Sequence, residues 1–283
     1  MPDLPFEHLA NAAHDFWRAI YLPLPFFVLL ALVVKRERFV GDILKAVPQA
    51  KINLLIHFID VLLVAPILVA LALFMKQAFE TYDLALVPAT MWEGLHPALV
   101  GLAAVFLGDF IGYWRHRIEH SALLWPSHAV HHSDTEMTWL AIFRFHPINR
   151  LTTVAIDFAF ILSMGLPAYA ILVNWLVRHY YGAFIHADLP WTYGPFGRIF
   201  VSPAMHRWHH SAEPIAYNTN FASVFSVFDW AFGTFRVPGA CDTALGVPQT
   251  MGNGLIGQLT YPLRRSSYRH FVRRLTHWRS RNV

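Results

Sequence analysis

Long apolar runs separated by charged loops restrict this chain to a helical bundle in lipid. Residues 16–34, 52–75 and 96–114 are each apolar enough to cross a bilayer, with Arg18 placed to snorkel at one end of the first. A bilayer core offers no water to unpaired backbone groups, so spans of this kind are helices. The composition agrees, with 55% of the 283 residues hydrophobic and 14% charged. Soluble domains carry about 25% charged residues.

The loop charges orient the spans. Lys35, Arg36, Arg38, Lys45 and Lys51 outnumber Glu37 and Asp42 between the first two runs, which makes that loop cytoplasmic. Glu80, Asp83 and Glu93 lie between the second and third runs and suit the opposite side. The third run therefore returns to the cytoplasm. A fourth apolar stretch, 151–184, is interrupted by Gly165-Leu166-Pro167 and reads as a hairpin that leaves and regains the same side.

The expected fold is all-α. It is an integral, multi-pass membrane bundle of about three spans plus a hairpin, with a histidine-rich helical cap on the cytoplasmic side. Residues 1–95 form the N-terminal transmembrane region, 96–237 the histidine-rich domain and 238–283 a basic C-terminal tail. In that tail Arg264, Arg265, Arg269, Arg273, Arg274, Arg279 and Arg281 interleave with Tyr268, Phe271, Leu275 and Trp278. The tail reads either as an amphipathic helix on anionic lipid or as a solvated segment. The first sixteen residues are polar, include Glu7 and Asp15, and do not read as a cleavable signal peptide. A pI near 9.3 raises nucleic-acid binding, but the basic residues flank apolar runs instead. The single cysteine, Cys241, excludes a disulfide framework and a four-cysteine iron–sulfur cluster within the chain.

Three histidine clusters fall on the expected cytoplasmic side: H-R-I-E-H at 116–120, H-A-V-H-H at 128–132 and H-R-W-H-H at 206–210. Residues three or four apart share a helical face, so each cluster converges its imidazoles. Eight imidazoles are too many for one ion and suit two. The first cluster continues the third run, with Asp109, Tyr113, His116 and His120 along one stripe. Asp109, an acid at the end of an apolar span, is expected to orient a ligand histidine through its other nitrogen. Glu119, Asp134, Glu136, Asp188 and Asp229 are further candidate acceptors, with Asp229 preferred. Glu119 is expected to face solvent. Imidazole suits zinc, copper, nickel and iron alike, so ligand type leaves the metal open.

D-F-I-G-Y-W-R-H-R-I-E-H, H-A-V-H-H and H-R-W-H-H together resemble the fatty acid hydroxylase superfamily, also called the sterol desaturase family. The likeness runs through F-R-F-H-P at 143–147, F-I-H-A-D at 184–188, S-P-A-M-H-R-W-H-H at 202–210 and F-D-W-A-F-G-T at 228–234. It implies two non-haem iron ions that activate O2 against a C–H bond, and makes 96–237 the di-iron catalytic domain. The ligands it implies are His116, His120, His128, His131, His132, His186, His206, His209 and His210. His146 also matches a family position and reads as lying behind a ligand or facing substrate, with ligation the lesser reading. Some relatives place a His or Asn where this chain has Gly182, so a tenth position falls to water or to His179.

The resemblance implies a lipid hydroxylase. A desaturase, a carotenoid or sterol oxygenase, or an ether-lipid monooxygenase on the same scaffold are the alternatives. Trp139, Phe143, Phe145, Phe184 and Trp208 are candidate pocket residues. Two electrons per turnover must come from a separate ferredoxin-like or cytochrome-like protein. A histidine-rich metal transporter is a further reading, resting on His57 and Asp60 within the second run.

Overall fold

The computed structural model describes residues 4–252 and 254–268, with side chains from residue 10. Helices dominate the described residues, and the only β pairing among them is an isolated bridge between Ser211 and Leu245. The part of the expected amphipathic tail at 269–283 lies outside the described residues.

The first apolar run is shared by two helices, α1 (Leu4–Tyr21) and α2 (Leu24–Lys35). Pro23 between them lacks the N–H that would continue the ladder. The single span expected at 16–34 is thus divided. The twelve residues of α2 reach about 18 Å, short of a ~30 Å hydrocarbon core. Arg36 adopts a left-handed backbone, φ 51°, and redirects the chain into α3 (Phe39–Ile59). A π-helical turn, Asp60–Val64, leads into α4 (Ala65–Thr81). Pro66 accounts for that turn, because its ring crowds the carbonyl one turn earlier.

Two stretches among the described residues, Ala10–Thr81 and Pro97–Glu119, are long and apolar enough to cross a membrane. Only 6% of the apolar window of the first is buried within the protein, against 44% of the second. The first therefore presents its side chains outward, while the second is a core helix.

That core helix, α5 (Pro97–Glu119), is followed by α6 (Trp125–His132) and α7 (Pro147–Thr152). Each His-Pro pair in this region starts a helix. His96 caps α5 and His146 caps α7, each accepting at Nδ1 from the backbone N–H two residues on, at 3.2 Å. The fourth apolar stretch turns at its Gly-Leu-Pro break into two helical arms. Its first arm joins α7 through a π-helical turn, Thr153–Phe158, to α8 (Ala159–Ser163), and its second arm is α9 (Ala168–His186). Gly165 makes the turn with φ +59°, and a Cβ there would lie 2.2 Å from the Val87 carbonyl oxygen.

The short helices α10 (Pro203–His209), α11 (Val227–Ala231) and α12 (Leu255–Thr260) follow. Ser202 starts α10 by accepting the Met205 N–H at 3.1 Å. Beneath it, Tyr113, Ile185, Met205, Phe221 and Phe228 form one core cluster. A second cluster of Ile52, Ile56, Val130, Met251 and Tyr261 ties α3 and the segment around α12 to α6. Full burial of an apolar side chain of this size contributes about 1.5–3 kcal/mol.

Candidate metal centre

Helix geometry sorts the histidines into two groups. At about 100° per residue, positions i and i+4 point the same way and position i+3 points aside. In α6, His128 and His132 therefore face one point while His131 faces another. In α10 the roles reverse, with His206 paired to His210 and His209 turned away. The result is one group of His116, His120, His128, His132 and His209, and a second of His131, His186, His206 and His210. Within each group the candidate ligand atoms all lie within 4.8 Å of one another. All nine histidines suggested by the sequence are in these groups, and all but His120 are buried.

The nitrogens are left in a state that suits a cation. In the first group, Nε2 of His116, His120, His128, His132 and His209 is buried without a hydrogen-bond partner. In the second, His186 Nε2 lies 2.9 Å from His206 Nε2 and 3.2 Å from His131 Nε2. Orphaned buried nitrogens cost about 1–3 kcal/mol each, and an ion in the first group would satisfy its five, while one in the second would take up the converging Nε2 atoms. Burial, reinforced by neighbouring rings, holds His131, His132, His206 and His210 well below the usual imidazole pKa, and burial lowers His209 to about 4. These rings are neutral at pH 7, the form that donates to metals.

Backbone carbonyls, not carboxylates, orient three of the rings. His116 Nδ1 meets Phe221 O at 2.7 Å, His209 Nδ1 meets Thr219 O at 2.7 Å, and His186 Nδ1 meets Gly182 O at 2.6 Å. Each carbonyl accepts from Nδ1–H and leaves Nε2 free to ligate. Asp109 and Asp229 act one step further back than expected. Asp109 accepts the N–H groups of Ser223, Val224 and Phe225 at 2.7–3.1 Å, and Asp229 accepts those of Phe221 and Ala222 at 2.8 and 2.9 Å. Burial pushes the Asp229 carboxyl up to about 6, against the bonds that favour its ionised form. Asn218 and Asn220 take the left-handed backbone this loop requires.

Glu119 corrects the expectation of a solvent-facing residue. It is fully buried, with Oε2 2.8 Å from Arg115 Nη1 and 3.3 Å from His128 Nδ1, and Oε1 2.5 Å from Thr152 Oγ1. It is the one carboxylate among the expected acceptors that touches a grouped histidine. The i, i+4 spacing of Arg115 and Glu119 was visible in sequence, but not the burial that gives it force.

Other expectations resolve differently. His146 has both nitrogens engaged, Nδ1 in its cap and Nε2–H donating to Leu259 O at 3.0 Å, which removes it as a ligand. His179 joins neither group and stacks on Trp175, 5.4 Å away. Gly182 leaves the second group one short of the first. Asp188 pairs with Lys35 and with Arg207. Asp134 accepts from Asn53 at 2.9 Å, and Glu136 is exposed. His57 stacks on Phe143 at 4.0 Å and Asp60 pairs with Arg150, so neither forms a mid-membrane ligand cluster.

A cavity of about 640 Å³ opens on both groups, touching His116, His128, His131, His186 and His206. Leu68, Val69 and Ala72 of α4 give it an apolar wall. Of the five candidate pocket residues only Phe145 lines it, stacked on His131 at 4.2 Å. Trp139 lines a separate hollow beside Lys35 and Asp188, and Phe143 packs on His57. Phe184 packs near Trp191, and Trp208 donates its indole N–H to Gly239 O.

The family model described as fatty acid hydroxylase matches residues 101–234, a stretch holding all nine grouped histidines. The ornithine lipid hydroxylase of Rhizobium tropici is 30% identical over 183 residues, covering 64% of this chain and 54% of its own. Human alkylglycerol monooxygenase is 30% identical over 135 residues, covering 47% of this chain and 30% of its own. Methylsterol monooxygenase 2-2 of Arabidopsis thaliana is 28% identical over 153 residues, with coverages of 52% and 55%. The chain thus spans about half or less of the length of these curated relatives. No solved structure matches it.

Proposed function

We propose, on the match of residues 101–234 to the fatty acid hydroxylase family model, that the chain belongs to that family and is a membrane-bound di-iron oxygenase that hydroxylates a C–H bond of a lipid. The balance is R–H + O2 + 2 e⁻ + 2 H⁺ → R–OH + H2O, with the electrons from a separate one-electron carrier protein. The carrying observation is the gathering of nine histidines into groups of five and four around inward-facing nitrogens.

His116, His120, His128, His132 and His209 would hold the first ion, and His131, His186, His206 and His210 the second. Bound there, iron supplies the O2-dependent redox chemistry that organic side chains lack. The protein's own contribution is placement. The Thr219, Phe221 and Gly182 carbonyls fix ring orientation, and the bare Cα of Gly182 seats Ile142, whose Cδ1 would lie 3.0 Å from a Cβ there. The apolar wall from α4 accepts hydrocarbon and excludes water from the reacting carbon.

In this reading the site faces the cytoplasm at one end of the membrane-embedded helices. Supporting that side, Lys35 at the start of the basic turn pairs with Asp188, two residues beyond His186.

Isotopic labelling tests the activity. Membranes containing the chain, a reductase system and heavy-isotope O2 should yield a lipid carrying one labelled oxygen. A product that only loses two hydrogens, or no O2-dependent product, would replace this reading.

A further inference from the structure

A second apolar feature stands outside the cavity and both histidine groups. Phe196, Ile199 and Phe200, in and just after a 3₁₀ turn (Gly194–Arg198), and Trp230 and Phe232, at the end of α11, each expose more than a third of their surface. An apolar patch of this kind marks a contact with protein or membrane. It is a built surface. Ser226 donates its hydroxyl to Gly197 O at 2.8 Å, the Val201 N–H donates to Val224 O at 2.9 Å, and the Phe200 and Phe225 rings lie 5.8 Å apart.

Three observations favour lipid as its partner. First, the patch continues the outer face of α5, where Leu99, Leu102 and Phe106 are exposed at i, i+3 and i+7. Phe106 meets Phe225 at 5.4 Å and Phe228 at 4.9 Å, and Phe225 carries Phe200. The 23 residues of α5 reach about 34 Å, close to a ~30 Å hydrocarbon core, and Phe106 stands near their middle. Second, the backbone of the patch is satisfied from within, as lipid requires. The N–H groups of Phe196, Ile199 and Phe200 donate to the Tyr193 and Phe196 carbonyls at 2.9–3.1 Å, and those of Trp230 and Phe232 donate to Ser226 and Phe228 at 3.1 and 3.0 Å. Third, residues 189–201 and 222–235 hold two charges, Arg198 and the buried Asp229. The exposed Arg198 guanidinium lies 5.3 Å over the Trp230 ring. An indole with a snorkelling cation suits the boundary between acyl chains and phosphates.

We propose that the surface formed by residues 195–200 and 230–232 is seated in the bilayer leaflet nearer the histidines. Phe196, Ile199 and Phe200 lie among acyl chains, and Arg198 reaches back to lipid phosphate. Ser202, two residues after Phe200, caps α10. Lipid therefore holds the start of the helix that carries His206, His209 and His210. The inference rests on the membrane placement of α5 in the proposed function, and on neither iron nor oxygen chemistry.

Spin-label accessibility in the full chain, reconstituted in phosphatidylcholine–phosphatidylglycerol vesicles, tests this without turnover. Cys241→Ser removes the single cysteine, and a nitroxide is then attached at Phe196→Cys or at Phe232→Cys. Leu102→Cys on α5 gives the lipid reference, and Glu37→Cys in the exposed Arg36–Arg38 turn gives the water reference. Oxygen concentrates in hydrocarbon and a nickel chelate stays in water. The ratio of oxygen to nickel collisions at positions 196 and 232 should match that at 102 and exceed that at 37 severalfold. A ratio at 196 equal to that at 37, with 102 still in lipid, overturns the proposal and spares the membrane reading of α5. A water-like ratio at 102 as well overturns both. Few collisions with either reagent at 196 would mean protein cover, from a second copy or the chain's own tail, and also overturns the proposal. Helical content equal to that of the unmodified chain is required of each variant, and Phe196, the most exposed of the five, decides alone if Phe232→Cys does not fold.

Discussion

Asp229 and His116 hold Phe221 from opposite sides: the carboxylate accepts the Phe221 N–H at 2.8 Å, and the Phe221 carbonyl lies 2.7 Å from His116 Nδ1. A carboxylate that touches no grouped histidine thereby sets the orientation of one. Asp229→Asn keeps the shape but puts a donor against one of two backbone N–H groups. Partners of this kind are worth roughly 10–100-fold in metal affinity. Chelator competition should show a loss in that range for Asp229→Asn, with the helical content retained. An unchanged affinity would mean that the loop holds itself.

Glu119 carries a second prediction. Glu119→Ala strands Arg115 with one carboxylate fewer and leaves Thr152 and His128 facing a gap. Breaking a buried ion pair from one side costs about 3–5 kcal/mol. Thermal unfolding should register a large drop for Glu119→Ala and a smaller one for Glu119→Gln, which still accepts from Thr152. A melting temperature equal to that of the unmodified chain would return Glu119 to the role of a surface residue.

Much of this was legible in the sequence, for identifiable reasons. H-x-x-H-H on a helix encodes a bifurcation, two rings one way and one the other, and two such helices face to face make two groups. Gly165-Leu166-Pro167 announced the hairpin, and its φ of +59° shows why glycine stands there. Less visible were features that depend on what lies across a gap. The Thr219 and Phe221 carbonyls belong to no motif, because any residue supplies a carbonyl. His146 was placed behind a ligand or facing substrate, because nothing in a His-Pro pair tells a helix cap from a residue that serves the site. The aromatic residues chosen for the pocket were chosen for size, whereas α4, which walls the cavity, lies in a distant apolar run with no distinguishing residue.

Acid sensitivity follows from the neutral rings. Burial depresses the folded values of His131, His132, His206 and His210, and takes His209 to about 4. In the unfolded chain each titrates near 6.5. A depressed histidine value means that the unfolded state binds more protons between these limits. Stability is therefore lost as pH falls from about 6.5 toward 4, and is insensitive to these groups above that window. Melting of chelator-treated protein across pH 4.5 to 7.5 should show this slope. A melting temperature that rises on acidification would contradict it.

The account's central claim is two metal ions in two histidine groups, and elemental analysis of the purified full chain tests it most directly. About two irons per chain are expected, falling to about one in His209→Ala, which removes a member of the first group, and in His186→Ala, which removes one of the second. A folded, iron-supplied chain that binds no iron, or a single ion lost equally in both variants, would contradict it.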